Sequence, residues 1–388
     1  MSNSLMSTYG RFPIRIVKGK GCAVWDENGN QYLDFTAGIA TCNLGHVPDL
    51  VKDKLSDQLD TLWHCSNLYH IPNQEALADQ LAALSTLDKV FFCNSGAEAN
   101  EAAIKLARRY ARKIKGNKAY EVVTFVQSFH GRTMATLSAT GQKKIQEGYE
   151  PLVDGFRTLP YNDFDALEEL IGEKTCAVLL ELVQGEGGVI PADKDWVSAL
   201  AKRCSETDVL LMIDEIQTGI GRTGTLFAYE QYGIAPDVVT LAKGLASGFP
   251  IGAMLAKADV AEAFDPGAHG STFGGNPLAT TAGTATLKAI VDQEILSNCK
   301  ENGAYFKQHL ERIQKAYPDQ IVSVRGLGLM LGIETKTEAI NVVNALRNQG
   351  VLVLTAGPHV VRILPPLIVQ QEDIDRFIEK LFTVIKAM

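Results

Sequence analysis

Two charged residues stand at the ends of apolar runs, where a charge is costly: Asp214 closes VLLMID and Lys243 closes VVTLAK. Three chemistries can be read into this pair and the residues around it. The run ending in Asp214-Glu215 has the form of the metal-binding strand of a P-loop ATPase, and Gly219-Ile220-Gly221-Arg222-Thr223-Gly224 matches G-x-G-x-x-G. An ATPase also needs G-x-x-x-x-G-K-[ST] to cradle phosphates, and no such string occurs. A dinucleotide site needs its first glycine in the turn directly after the strand, yet Asp214, Glu215, Ile216, Gln217 and Thr218 intervene before Gly219. The glycines therefore read as a loop, Asp214 is not read as a metal ligand, and no metal site is expected.

The third chemistry needs the lysine. In a partly desolvated site an ammonium drops below its usual pKa of about 10.4, and the neutral amine can form a Schiff base. A buried aspartate can hold a proton on the pyridine nitrogen of pyridoxal phosphate, the partner such a lysine needs if the cofactor is to act as an electron sink. Taken alone, a strand ending in Asp or Lys is usually a solvated loop edge, so the reading rests on convergence. The cofactor's phosphate has a landing place in NSGAEANEAA, where Ser95-Gly96-Ala97 opens a strong helical pattern with exposed N–H groups and a positive dipole end. The same letters also spell a capping box, Ser95 with Glu98, and the loop by itself does not separate the two. In VTFVQSFHGRT, Phe129 can stack on a planar ring and Arg132 can clamp a carboxylate through two parallel hydrogen bonds. His130 between them reads as readily structural as chemical.

These residues need a rigid frame. Short apolar runs read as buried strands: KVFFC near 89, EVVTFV from 121, CAVLLELV from 176, VLLMID from 209 and VVTLA from 238. Helical patterns alternate with them, which predicts an α/β domain around a mostly parallel sheet. PDLVKDKLSDQLDTL spaces Val51, Leu55, Leu59 and Leu62 as one helix face, and GAEANEAAIKLARRYARK repeats that period. The large domain is expected at 46–285, ending on the helical pattern opened by GGNPLA. A smaller α+β domain follows at 286–388, with helix-like LSNCKENGAYFKQHLERIQKAY and strand-like IVSVRG, GLMLGIE and VVRILPP. Residues 1–45, with WDENGNQYLDF as a hairpin, are expected to pack onto the small domain.

At 388 residues the chain is long enough for a large domain with a smaller one attached. A net charge of −8 advertises no polyanion, so nucleic acid is not an expected partner. Seven cysteines without a C-x-x-C pair make a poor disulfide or zinc framework and suit a reducing cytosol. No apolar stretch reaches the length of a membrane span, and the opening residues lack the apolar segment of a secretory signal, so a soluble, cytoplasmic protein is expected.

In this order, SGAEANEAA, SFHGRT, LVQGEGG, MIDEIQTGIGRTG, TLAKGLASGFPIGA, GSTFGGNPLA and VRILPPL resemble the class III pyridoxal-phosphate-dependent aminotransferases over essentially the whole chain. The opening TYGRFPIRIVKGKG and VWDENGNQYLDFTAGIATCNLGH look like the acetylornithine aminotransferases of arginine biosynthesis within that class. The resemblance implies the aspartate-aminotransferase type of fold and a homodimer with shared active sites. It implies transfer of the δ-amino group of N-acetylornithine to 2-oxoglutarate, by ping-pong kinetics through pyridoxamine phosphate. Lys243 is then the Schiff-base lysine and general base, Asp214 the partner of the pyridine nitrogen, and Gln217 the partner of the cofactor's 3-oxygen. Phe129 covers one ring face. Gly96 and Ala97 amides with Ser95 hold the phosphate, and Thr272 reaches the phosphate of the neighbouring subunit's cofactor. Arg132 binds the carboxylate far from the reacting amine, Arg362 binds the α-carboxylate of glutamate, and Glu186 pairs with Arg362 when no carboxylate does.

Without the resemblance, Arg362 would read as a strand-end surface residue. Two positions depart from related patterns. Glu181-Leu182 replaces the usual Glu-Pro before QGEGG, and Ile39 stands where ornithine δ-aminotransferases carry tyrosine, which favours a substrate without a free α-ammonium. Succinylornithine, 4-aminobutyrate, ornithine and succinyl-diaminopimelate aminotransferases are rivals that a comparison of kcat/KM on an amine panel separates. A pyridoxal-phosphate mutase or racemase would use Lys243 and Asp214 equally, and product analysis tells it apart. A nucleotide-binding module is disfavoured by the missing P-loop.

Overall fold

The structure, a computed structural model, describes residues 4–388, so the first three residues of the expected N-terminal segment lie outside it. Its centre is a seven-stranded sheet in the order Lys89–Cys93, Gly252–Ala256, Val238–Leu241, Leu210–Asp214, Thr175–Leu180, Glu121–Phe125 and Phe156–Leu159. All pairings are parallel except those of Gly252–Ala256, which runs antiparallel to both neighbours. The α/β class with a mostly parallel sheet is therefore observed.

Alternation along the strands divides the core into two layers. Val122, Ala177, Leu179, Leu210, Met212 and Val238 face the helix Gly96–Lys113, whose Ala103, Ile104, Leu106, Ala107 and Tyr110 form the other half of that layer. Val123, Val178, Leu180, Leu211, Ile213 and Val239 belong to the opposite layer, covered in part by the helix Lys194–Glu206 with the fully buried Trp196. Because both faces are covered, these strands carry no polar alternation, and their apolar runs could be read directly from the sequence.

Two strands were not among those runs. Phe156–Leu159 lies at the sheet edge with Arg157 and Thr158 in it, and Gly252–Ala256 is made mostly of small residues. CAVLLELV is not one strand: it stops at Leu180, and Val183–Gln184 pairs separately with Ile190–Pro191 in a hairpin whose tip carries Glu186. The helix face expected from Val51 to Leu62 is also shorter than its spacing suggests. The helix Asp49–Leu59 ends before Leu62; Val51 is buried, whereas Leu59 and Leu62 are 47% and 44% exposed.

A second sheet, all antiparallel, runs Ile321–Leu327, Met330–Thr335, Val360–Ile363 and Leu354–Thr355. A third joins Ile16–Lys20, Ala23–Asp26 and Gln31–Asp34 to Val351–Leu352, so WDENGNQYLDF forms a hairpin whose second strand pairs with the C-terminal part of the chain. Among the described residues no helix is long and apolar enough to cross a membrane.

Candidate active site

A cavity of about 420 Å³ opens where the central strands end. Parallel α/β sheets offer a crevice at the carboxyl ends of their strands, and here strands and following turns deliver Ser95, Gly96, Ala97, Phe129, Arg132, Asp214, Gln217 and Lys243 to one wall set.

Asp214 ends its strand beside Thr240 of the next one. It is 4% exposed, and three groups fix it: its Oδ2 accepts from Asn100 Nδ2 and from His130 Nδ1, both at 2.8 Å, and its Oδ1 accepts the Ile216 N–H at 3.1 Å. Asn100 is itself held, because Thr240 Oγ1 donates to its Oδ1 at 2.8 Å. A carboxylate held by this many donors is fixed in orientation. His130 Nε2 is buried without a hydrogen-bond partner.

Lys243 opens a short 3₁₀ turn, Lys243–Ala246, at a φ of 42°, a left-handed backbone that a side chain adopts only under constraint. Burial pulls its ammonium below the ordinary lysine value; Glu186 opposes that and Arg362 adds to it. The direction is the one a nucleophilic amine requires.

Across the wall, Ser95 caps the helix Gly96–Lys113: its side chain accepts the Glu98 N–H at 3.2 Å, while Glu98 Oε2 accepts the Asn94 N–H at 2.6 Å. The cap and the anion site are thus compatible, since capping uses the serine oxygen and leaves Gly96 and Ala97 of the first turn lining the cavity.

Arg362 is not a surface residue. It lies within the strand Val360–Ile363, is 2% exposed, and donates through Nη1 to Glu186 Oε1 at 2.6 Å and to Gln217 Oε1 at 3.2 Å. Burial raises Glu186, but the Arg362 guanidinium, with Lys243 and Arg132 adding, outweighs burial and holds its carboxyl below the usual range. A Cβ at Gly185 would stand 2.5 Å from Gln217 Nε2, so a larger residue there would displace the amide that Arg362 bonds. Arg132 lies with its Cζ 5.8 Å from the centroid of the Phe129 ring. Thr272 is not brought to this cavity; it is exposed and lines a separate hollow with Asn67 and Ser271. Ile39 is 40% exposed at a φ of 65°, two residues from Thr41, which lines the cavity.

Three polar residues of the site were given no role in the sequence. Asn100 and Thr240 fasten Asp214, and Glu181, 6% exposed, accepts the N–H groups of Phe129 and Gly185 at 2.7 and 3.3 Å. The signal was available for Asn100, a lone amide on the apolar face of its helix, which must find a partner when buried. In the loop after Asp214, Arg222 is fully buried and bonds Asn43, Leu329 O and Pro365 O, so the G-x-G-x-x-G letters serve to fasten distant segments.

The donor set fits pyridoxal phosphate: first-turn amides for an anion, a fixed carboxylate for a ring nitrogen, and an amine held toward its neutral form. Comparison with known proteins agrees. The chain is 57% identical to the acetylornithine aminotransferase of Oceanobacillus iheyensis over 381 residues, covering 98% of this chain and 95% of that one. It is 51% identical to that of Bacillus subtilis, covering 98% and 97%. Among solved structures, an ornithine aminotransferase from Toxoplasma gondii superposes with a TM-score of 0.96 at 32% identity, covering 99% of this chain and 92% of that one. The acetylornithine aminotransferase of Elizabethkingia anophelis superposes with a TM-score of 0.89 at 30% identity, covering 99% and 96%. The model of the family described as aminotransferase class-III matches residues 5–385, and the chain belongs to that family.

Proposed function

We propose that this aminotransferase uses pyridoxal 5′-phosphate to move the δ-amino group of N-acetylornithine to 2-oxoglutarate, giving N-acetylglutamate 5-semialdehyde and glutamate in arginine biosynthesis. The observation that carries the reading is the pairing of the buried Arg362 with the partly exposed Glu186 beside Lys243. A site for two donors must accept glutamate, which brings an α-carboxylate to Arg362, and N-acetylornithine, which leaves Arg362 without one. An unpaired buried guanidinium is costly, and Glu186 supplies the counter-charge in the second case. Arg132 takes the carboxylate remote from the reacting amine in both cases. Ornithine, the donor named for the Toxoplasma gondii protein, is disfavoured because Ile39 offers no hydroxyl to a free α-ammonium.

Lys243 and Asp214 would hold the cofactor's reactive carbon and ring nitrogen, Gln217 its 3-oxygen, Phe129 one ring face, and Ser95, Gly96 and Ala97 its phosphate. When bound, the cofactor carries the amino group between donor and acceptor and withdraws electrons from the bond to be broken. Lys243 Nζ then takes the proton from the substrate's amine-bearing carbon, a task its lowered basicity suits.

A homodimer completes the proposal. Leu59, Leu62, Trp63, Leu68, Tyr69 and Phe273 are all exposed, and the His64 ring lies 5.3 Å from that of Phe273. This apolar surface, next to Thr272, suits a second copy, whose cofactor phosphate Thr272 would reach. Residues 46–285 are the proposed large domain and 286–388, with 1–45, the smaller one. The cytosol is the proposed compartment, in keeping with seven unpaired cysteines. Initial rates with N-acetylornithine, N-succinylornithine, ornithine and 4-aminobutyrate test the donor: N-acetylornithine is expected to give the highest kcat/KM, and a higher value for another amine overturns the assignment.

A further inference from the structure

Glu181 has no part in the transfer proposed above, yet it is a carboxylate buried in the wall of the same cavity. Its two oxygens serve two different turns. Oε1 accepts the N–H of Phe129 at 2.7 Å, in the turn that carries His130 and Arg132; Oε2 accepts the N–H of Gly185 at 3.3 Å, next to Glu186. The far side of the Glu186 turn is held separately, by Arg325 Nε donating to Gly188 O at 2.8 Å. The near side is anchored by Gln184, which pairs with Ile190 and whose Nε2 donates to Val126 O at 2.8 Å, so release of the Gly185 bond would loosen only the tip between these anchors, where Glu186 lies.

Ionisable groups face Glu181 from several elements: His130, Asp214 and Lys243 through the cavity, and Tyr161, whose hydroxyl donates to the Glu181 carbonyl at 2.8 Å. Burial pushes the Glu181 carboxyl up to about 7; His130 opposes the rise and Asp214 reinforces it. Once protonated, the group has an O–H in place of one good acceptor, and the longer bond, to Gly185, is the weaker of the two.

We propose that Glu181 is a positioning residue for donor selectivity: its ionised carboxylate ties the Phe129 and Gly185 turns together so that Glu186 meets Arg362, and its neutral form lets the Glu186 turn loosen. The inference rests on the two-donor reading above. N-acetylornithine leaves Glu186 on Arg362 and glutamate must displace it, so acid should lower the first donor's kcat/KM relative to the second's.

The test is single-turnover kinetics of the holoenzyme with each donor across pH, for the natural protein, Glu181→Gln and Glu181→Asp. The ratio of kcat/KM for N-acetylornithine to that for glutamate is expected to fall as pH is lowered through the range, above the ordinary carboxylate one, in which the Glu181 carboxyl takes up its proton. Glu181→Gln is expected to hold a low, flat ratio, and Glu181→Asp to restore a pH-dependent one. A second readout needs no activity. A carboxyl raised from 4.5 to about 7 contributes stability that is present below 4.5 and lost as pH rises through 7, so the cofactor-free natural protein should lose melting temperature relative to Glu181→Gln over that window. A pH-independent ratio in the natural protein, an unchanged ratio in Glu181→Gln, or parallel melting curves overturns the role. Absence of turnover with both donors overturns the donor reading and the role together, whereas turnover with an unchanged ratio overturns the role alone.

Discussion

Replacing Glu186 with alanine isolates the Arg362 pair. Arg362 would keep Gln217 Oε1 at 3.2 Å but lose its 2.6 Å carboxylate partner, and its Nε is already buried without one. Removing one partner of a fully buried pair costs about 3–5 kcal/mol. The Glu186 side chain is 30% exposed, so water relieves part of that cost, and about 2 kcal/mol, the scale of a hydrogen bond to a charged group, is the better figure. With N-acetylornithine the bare guanidinium is present in the free enzyme and in the transition state alike, so the cost cancels and kcat/KM should change by less than about threefold. With glutamate the substrate's own α-carboxylate covers the guanidinium and no Glu186 pair has first to be displaced, so about 2 kcal/mol should raise kcat/KM by up to roughly 30-fold. Single-turnover loss of the cofactor's visible absorption, measured with each donor in turn, gives both numbers. Equal changes for the two donors would refute the exchange of carboxylates at Arg362.

Lys243→Ala is expected to leave the melting temperature within a few degrees of the natural protein and to abolish turnover; full activity in the folded variant removes Lys243 from the chemistry. Asn100→Ala orphans the Thr240 hydroxyl and takes one of the three donors from Asp214, so urea unfolding should show a loss of about 2–4 kcal/mol, and a loss under about 0.5 kcal/mol contradicts the network. His46 Nε2 lies 2.7 Å from Asp34 Oδ2, and that hydrogen bond, with Cys42 adding, raises the imidazole to about 10. Its folded-state pKa is above the ordinary 6.5, so the pair's contribution is complete below pH 6.5 and fades as pH climbs through 10. The melting advantage over His46→Gln should shrink across that window, and a constant advantage rules the pair out as its source.

How far the sequence could be read follows from burial. EVVTFV, VLLMID and VVTLA were legible because strands covered on both faces must be apolar throughout, and KVFFC, at the other edge of the sheet, because Val90, Phe91 and Phe92 still pack against the core. Phe156–Leu159 escaped notice because an edge strand tolerates Arg157 and Thr158, and Gly252–Ala256 because Gly and Ala carry little strand preference. Leu62 was misassigned because period alone does not say where a helix stops, and this one stops at Leu59. At the site, Asp214 and Lys243 stood out as charges ending apolar runs. Arg362 did not, since a guanidinium in VVRILPP gives no sign that its partner is Glu186, 176 residues earlier in the chain. Asn100, Thr240 and Glu181 matter through what they hold, and such contacts exist only once the strands are side by side.

The most direct test of the central claim is the absorption spectrum of the purified protein before and after N-acetylornithine is added with no oxo acid present. A visible band from lysine-bound pyridoxal phosphate that bleaches, with release of N-acetylglutamate 5-semialdehyde, is the expected result. A band that responds to glutamate alone would contradict the donor, and no band even after the cofactor is supplied would contradict the roles given to Lys243 and Asp214.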